Sequence, residues 1–316
     1  MTRARHRYRL YDLIVESDVP LSLSRAPSDD EGESVWSYEQ RPVASPDGRP
    51  IHDVVDFDGE RRLQVWVDAQ RGVLFSYGQT RIEWNSKQRR IRIDVGDDLN
   101  TRPAIALERM VAPIAFMVER EHHITLHASA VRQGSGAASI FVGDSGAGKS
   151  TTALELMRRG MEVLADDLVL IDTDSLHLLA ATPSLRLFDQ PEAVPEAVDR
   201  ELVVPDTQKF WYQLSQRQVP KTKPGVRAIY SLEPVETVAD PQVIRVRGRQ
   251  ATVRVIAQAF DLTMAQEDWR VARFRSLCRL ARQVPVYRVN YRKGDRSALD
   301  QVEAIAAHLD GEGADP

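Results

Sequence analysis

The chain has 316 residues, 42% of them hydrophobic, enough to bury a sizeable core in one large or two modest domains. A formal net charge of -4 gives no general electrostatic reason to hold nucleic acid, and no nucleic-acid partner is expected. Cys278 is the one cysteine, which excludes an intrachain disulfide; no Cys/His cluster has zinc-site spacing, and no run of about 18 apolar residues predicts a membrane span, so a reducing, cytoplasmic setting is expected.

The opening stretch MTRARHRYRLYDLIV is basic but lacks an apolar run with a small-residue cleavage site, so no export signal is expected. Residues 1–100 read as a β-rich module: RLQVWVD, GVLFSYG, RIEWN and RRIRIDV alternate in polarity and are separated by Asp, Gly and Asn turns. Within it, Ala26 to Gly48 is polar with three prolines, which predicts an exposed loop or partly ordered insertion. The run KQRRIRI at 87–93 is simplest as the wet face of a strand. From Pro103, PAIALERMVAPIAFMVER has helical spacing despite Pro113, predicting a connecting helix over 101–122 whose end, His122 and His123, is solvated.

From Ile124 the order is strand (ITLHASAV), turn, strand (ASIFV), glycine-rich loop, helix (STTALELMRRG) and strand (EVLADDLVLID), which predicts an α/β core over 123–310. Further strands are expected at SLRLF, GVRAIYSL, QVIRVRG and PVYRVNY. Helices are expected at ATVRVIAQAF, at EDWRVARFRSLCRLARQV with its arginines outward, and at RSALDQVEAIAAHL; residues 311–316 read as a disordered tail.

Gly143-Asp144-Ser145-Gly146-Ala147-Gly148-Lys149-Ser150 matches GxxxxGK[ST] without a gap, after a strand and before a helix. Such a loop curls so that successive N–H groups and the helix N-terminus, through Thr151, face a phosphate chain, while Lys149 reaches the β/γ-phosphates and Ser150 holds Mg2+. ATP and Mg2+ are therefore the expected ligands. Asp166 and Asp167 interrupt an apolar run only 17 residues after Lys149. Neighbouring strand residues face opposite ways, so one carboxylate would face metal and phosphates and the other an attacking hydroxyl. The bland alternative ends the strand at Ala165 and leaves the acids in a solvated turn. His127 reads either as a group near the γ-phosphate or as a hydrogen-bonded core histidine; the residues alone leave both open. Arg186 in TPSLRLF, with Lys209, Lys221 and Lys223 in DTQKFWYQLSQRQVPKTKPG, are candidate phosphate or substrate contacts, the latter segment reading as a mobile substrate loop.

Taken together, LHASAVRQGSGAASIFVGDSGAGKSTTALELMRRGMEVLADDLVLI resembles the catalytic domain of the HPr kinase/phosphorylase family, where a histidine-bearing strand precedes the loop and an Asp pair follows its helix. The resemblance implies an α/β (α+β) fold related to phosphoenolpyruvate carboxykinase for the catalytic domain, which the small β-rich N-terminal module read above would precede. It also implies that Asp167 is the general base, that Asp166 and Ser150 lie near the metal, and that His127 lies near the transferred phosphate. Thr151 stands where the bacterial enzymes carry glutamate, and Met161 where they carry histidine. RYRLYDLIVESDVPL and PSLRLF look more like the relatives found with peptide-modifying gene sets, which implies phosphorylation of a serine hydroxyl on a precursor peptide. The readings that follow are a Mg2+·ATP-dependent serine kinase acting on a peptide or small protein, a kinase of a small hydroxylated metabolite, and a non-catalytic ATP-binding regulator. An oligomer is compatible with each.

Overall fold

The computed structural model describes residues 5–21, 23–26, 35–55, 62–95, 107–180, 183–188, 194, 197–204, 209–214, 223–236, 238–260, 267–292 and 297–311. Contacts divide the chain into two compact units, Met1–Glu121 with Asp261–Ala272, and His122–Phe260 with Arg273–Pro316. Strands and helices mix in a coarse α/β chain, and among the described residues no helix is long and apolar enough to cross a membrane.

The first unit holds one sheet built from β1 (His6–Leu10), β2 (Leu13–Ser17), β3 (Val35–Gln40), β4 (His52–Val55), β5 (Arg62–Asp68), β6 (Gly72–Tyr77), β7 (Thr80–Asn85) and β8 (Arg90–Asp94). Their spatial order is β1-β2-β3-β8-β7-β6-β5-β4, with β3 parallel to both neighbours. β3 corrects the expectation of a loop over 26–48 at Val35–Gln40 alone; residues 41–48 have no regular structure, and 27–34 lie outside the described residues. Trp36 and Tyr38, two residues apart and each 4% exposed, drive this segment into the sheet despite its polar flanks. Trp36 meets Trp84 at 4.7 Å between ring centroids, and Trp84 meets Phe116 edge-on at 5.5 Å. Phe116 belongs to α1 (Ala112–Glu119), which follows a π-helical turn at Leu107–Val111. Pro113 falls in the first turn, where a missing N–H breaks no helical bond. α1 is buried from Ala112 to Met117, as a helix packed into a core is.

The second unit is built on an eight-stranded sheet. Its strands are β9 (His123–Arg132), β10 (Ala138–Val142), β11 (Glu162–Ala165), β12 (Leu168–Asp172), β13 (His177–Leu179), β17 (Val226–Pro234), β18 (Gln242–Val246) and β19 (Val286–Tyr291). The order is β13-β12-β9-β10-β17-β19-β18, with β11 also on β9. β10 and β17 are parallel, as are β17 and β19, and β10 is buried at every residue, as a strand covered on both faces must be. A three-stranded sheet, β14 (Ser184–Phe188), β16 (Lys209–Leu214) and β15 (Ala197–Val204), has β16 at its centre. Around these run α2 (Lys149–Arg158), α3 (Gly248–Ala257) and α5 (Ser297–Gly311), while α4 (Glu267–Gln283) begins in the first unit and belongs to the second from Arg273 on. One core joins Leu154 and Leu156 of α2, Leu185 and Leu187 of β14, Phe141, Tyr230 and Ile305.

Three further expectations are corrected here. Lys209–Leu214 is a strand, not part of a mobile loop, because Trp211 and Tyr212 are each 1% exposed. His123 is buried and opens β9 instead of closing a solvated helix. Arg273 of α4 is buried although its helix was expected to turn every arginine outward.

Candidate functional site

The loop Gly143–Gly148 joins β10 to α2. Gly143 (φ 151°), Gly146 (φ 79°) and Gly148 (φ 83°) take conformations that L side chains rarely adopt. At Gly143 a Cβ would stand 2.7 Å from the Leu232 carbonyl oxygen, so close approach as well as φ demands glycine. Asp144, Ser145 and Gly146 are exposed, while Ala147 is buried. The loop closes on itself through Ala147 N–H to the Asp144 carbonyl at 3.0 Å. Two distant side chains brace it. Tyr291 Oη donates to the Ala147 carbonyl at 2.7 Å, and Gln301 Nε2 donates to Thr152 Oγ1 at 2.9 Å. Lys149 is buried, its Nζ donating to the Gly143 carbonyl at 2.6 Å and to that of Asp144 at 3.2 Å. No side chain caps α2, which leaves its first amides directed out of the helix end; half-buried Thr151 lies in that first turn. The helix stops at Gly160 (φ 88°), whose N–H reaches the Met157 carbonyl while that of Met161 reaches Leu156.

Asp166 and Asp167 lie between β11 and β12, in a break of the strand that both pieces share with β9. The strand does end at Ala165, yet the acids are not solvated. Asp166 is 6% exposed, and its Oδ1 accepts from Ser129 Oγ at 2.5 Å and from Ser150 Oγ at 3.0 Å. Its Oδ2 accepts from the backbone N–H of Arg186 at 2.7 Å. Asp167 has a left-handed backbone, φ 77°, which points its carboxylate elsewhere. Arg186 Nη1 donates to Asp167 Oδ2 at 2.9 Å, and His127 Nδ1 lies 3.7 Å from Asp167 Oδ1. The two carboxylates thus have separate partners.

His127 keeps 45% of its side chain exposed, so it is not a core histidine. Burial of the remainder lowers its pKa below the ordinary 6.5, outweighing the opposite pull of Asp167; Lys149 and Arg186 push the same way as burial. The ring is therefore neutral at pH 7. Arg186 Nε is buried with no hydrogen-bond partner among the described residues, a donor left over beside the carboxylates.

Of the residues singled out in the sequence, the structure brings together Lys149, Ser150, Asp166, Asp167, His127 and Arg186. Lys209 opens β16, Lys223 is exposed, and Lys221 lies outside the described residues. Sequence reasoning missed Ser129, although strand alternation puts it on the same face as His127, and it missed Tyr291 and Gln301, which no local pattern marks.

No family model matches the chain, and no curated protein matches it. Among solved structures it is similar to the HPr(Ser) kinase/phosphatase from Coxiella burnetii. That likeness is distant: 15% identity and a TM-score of 0.30, over 60% of this chain and 93% of that one.

Proposed function

We propose that this chain is a Mg2+·ATP-dependent kinase that transfers a phosphoryl group to a serine hydroxyl on a peptide or small protein. The observation that carries the reading is the split carboxylate pair at the mouth of the loop. Asp166 bonds Ser150, the residue whose hydroxyl meets the metal in such loops, while Asp167 faces Arg186 and His127.

The residues fit the nucleotide and the ion. The glycines leave room for a phosphate chain against loop amides, Lys149 supplies a charge, and the leftover Arg186 Nε offers another donor. Ser150 and Asp166 would hold Mg2+, which supplies neutralisation of phosphate charge when bound. Everything else is positioning by this chain. Asp167 orients the acceptor hydroxyl and takes its proton, with Arg186 fixing the carboxylate and neutral His127 bordering the same space. A protein that only senses ATP has no use for a second carboxylate held apart from the metal side. A peptide acceptor, such as a ribosomally made precursor, is favoured by the sequence resemblance in RYRLYDLIVESDVPL and PSLRLF.

The test is transfer from γ-labelled ATP with Mg2+ to serine peptides and their alanine counterparts. Asp167→Asn should lower the rate by about 10²–10⁴-fold. Transfer at the wild-type rate by that variant overturns the assignment of the base, and unchanged nucleotide affinity in Lys149→Ala overturns the reading of the loop.

A further inference from the structure

Away from the loop, antiparallel pairing of β9 with β12 sets His123 directly opposite Asp172, and pairing of β12 with β13 sets His177 opposite Asp172 on its other side. Residues facing each other across a ladder share a face, so this row carries imidazole, carboxylate and imidazole side by side. His122 joins it, its ring centroid 4.6 Å from that of His123. Ligand atoms of His122, His123 and Asp172 all lie within 4.8 Å of one another.

The cluster is organised by its surroundings. The N–H and Oγ1 of Thr173 donate to the His122 carbonyl at 2.8 and 2.9 Å, tying the end of β12 to the start of β9. Asp172 Oδ1 accepts the N–H of Asp174 at 2.9 Å and of Ser175 at 3.3 Å, which aims the carboxylate as an outer shell aims a metal ligand. Arg279 is ion-paired with Asp174, whose other oxygen is 3.9 Å from His122 Nδ1.

We propose that His122, His123 and Asp172 bind a divalent cation of the zinc class, separate from the Mg2+ of the phosphate loop, and so clamp β9 to β12. Two imidazoles with one carboxylate suit zinc, cobalt or nickel, whereas magnesium and calcium prefer oxygen alone. Tetrahedral zinc holds its ligand atoms about 3.4 Å apart. The His122 side chain is 41% exposed, which leaves its ring room to turn when an ion binds. The ligands come from two strands, which is why spacing along the sequence does not reveal them. His123 lies four residues from His127 along β9, about 13 Å, and Asp172 closes β12, the strand that follows Asp167. The proposal stands independently of the kinase reading.

The test is titration of metal-stripped, untagged full-length protein with Co2+, followed by its visible absorption, then displacement with Zn2+. One equivalent should bind, and Zn2+ should raise the melting temperature. His122→Ala and Asp172→Asn, with circular dichroism to verify folding, should each bind at least about tenfold more weakly and lose the thermal shift, while His6→Ala should match wild type. Absence of saturable one-to-one binding, or wild-type affinity in both cluster variants, overturns the site.

Discussion

Arg186 serves both acids at once, its backbone N–H on Asp166 and its guanidinium on Asp167. In Arg186→Gln the backbone bond survives and the charged one is lost. Stability should fall by about 1.5–3 kcal/mol in urea titrations, and turnover should fall more than nucleotide affinity because Asp167 loses its anchor. His127 makes a prediction of pH dependence. Its pKa is lowered in the folded chain, so below the ordinary value of 6.5 the unfolded chain takes up the proton first. Its share of stability is complete above that value and is lost as pH falls through the folded pKa. The denaturant midpoint should therefore drop more between about pH 7.5 and pH 5.5 in wild type than in His127→Gln. At this scale the sequence was informative where one local pattern carries the chemistry, as at Lys149 and the Asp pair. It was silent on Arg186 meeting Asp167, since that contact needs β14 to lie beside the strand break.

Among the elements, β10, the loop and α2 were the most legible, because Gly143 and Gly160 punctuate them and the apolar period changes between. The Gly143 requirement can be checked directly. Gly143→Ala puts a methyl 2.7 Å from the Leu232 carbonyl oxygen, so β17 or the loop must shift. About 1–3 kcal/mol of stability should be lost, together with nucleotide binding measured by calorimetry. Elsewhere composition misled. EVLADDLVLID reads as one strand but is two, since the left-handed backbone of Asp167 breaks it while β9 continues underneath both halves. The polar flanks of FWYQL suggest a loop, yet Trp211 and Tyr212 bury it as the middle strand of a sheet. His123 looked solvated beside Glu121 and His122 because the strand that pairs with it, β12, comes some fifty residues later.

For the whole molecule, a ligand that binds only the folded state adds stability by mass action. ATP with Mg2+ at about a hundredfold excess over Kd should contribute about 2.7 kcal/mol and raise the melting temperature by roughly 4 °C, with no rise in Lys149→Ala. The braces of the loop carry a different consequence. Tyr291 and Gln301 reach back across 144 and 149 residues to Ala147 and Thr152. A ribosome therefore completes the loop's own residues long before it makes the two that hold them in shape. A nascent chain released before Tyr291 should contain the full motif and still fail to retain nucleotide. If the loop holds ATP as proposed, that competence would wait until Tyr291 and Gln301 are made, a timing that the order of residues imposes without any regulator.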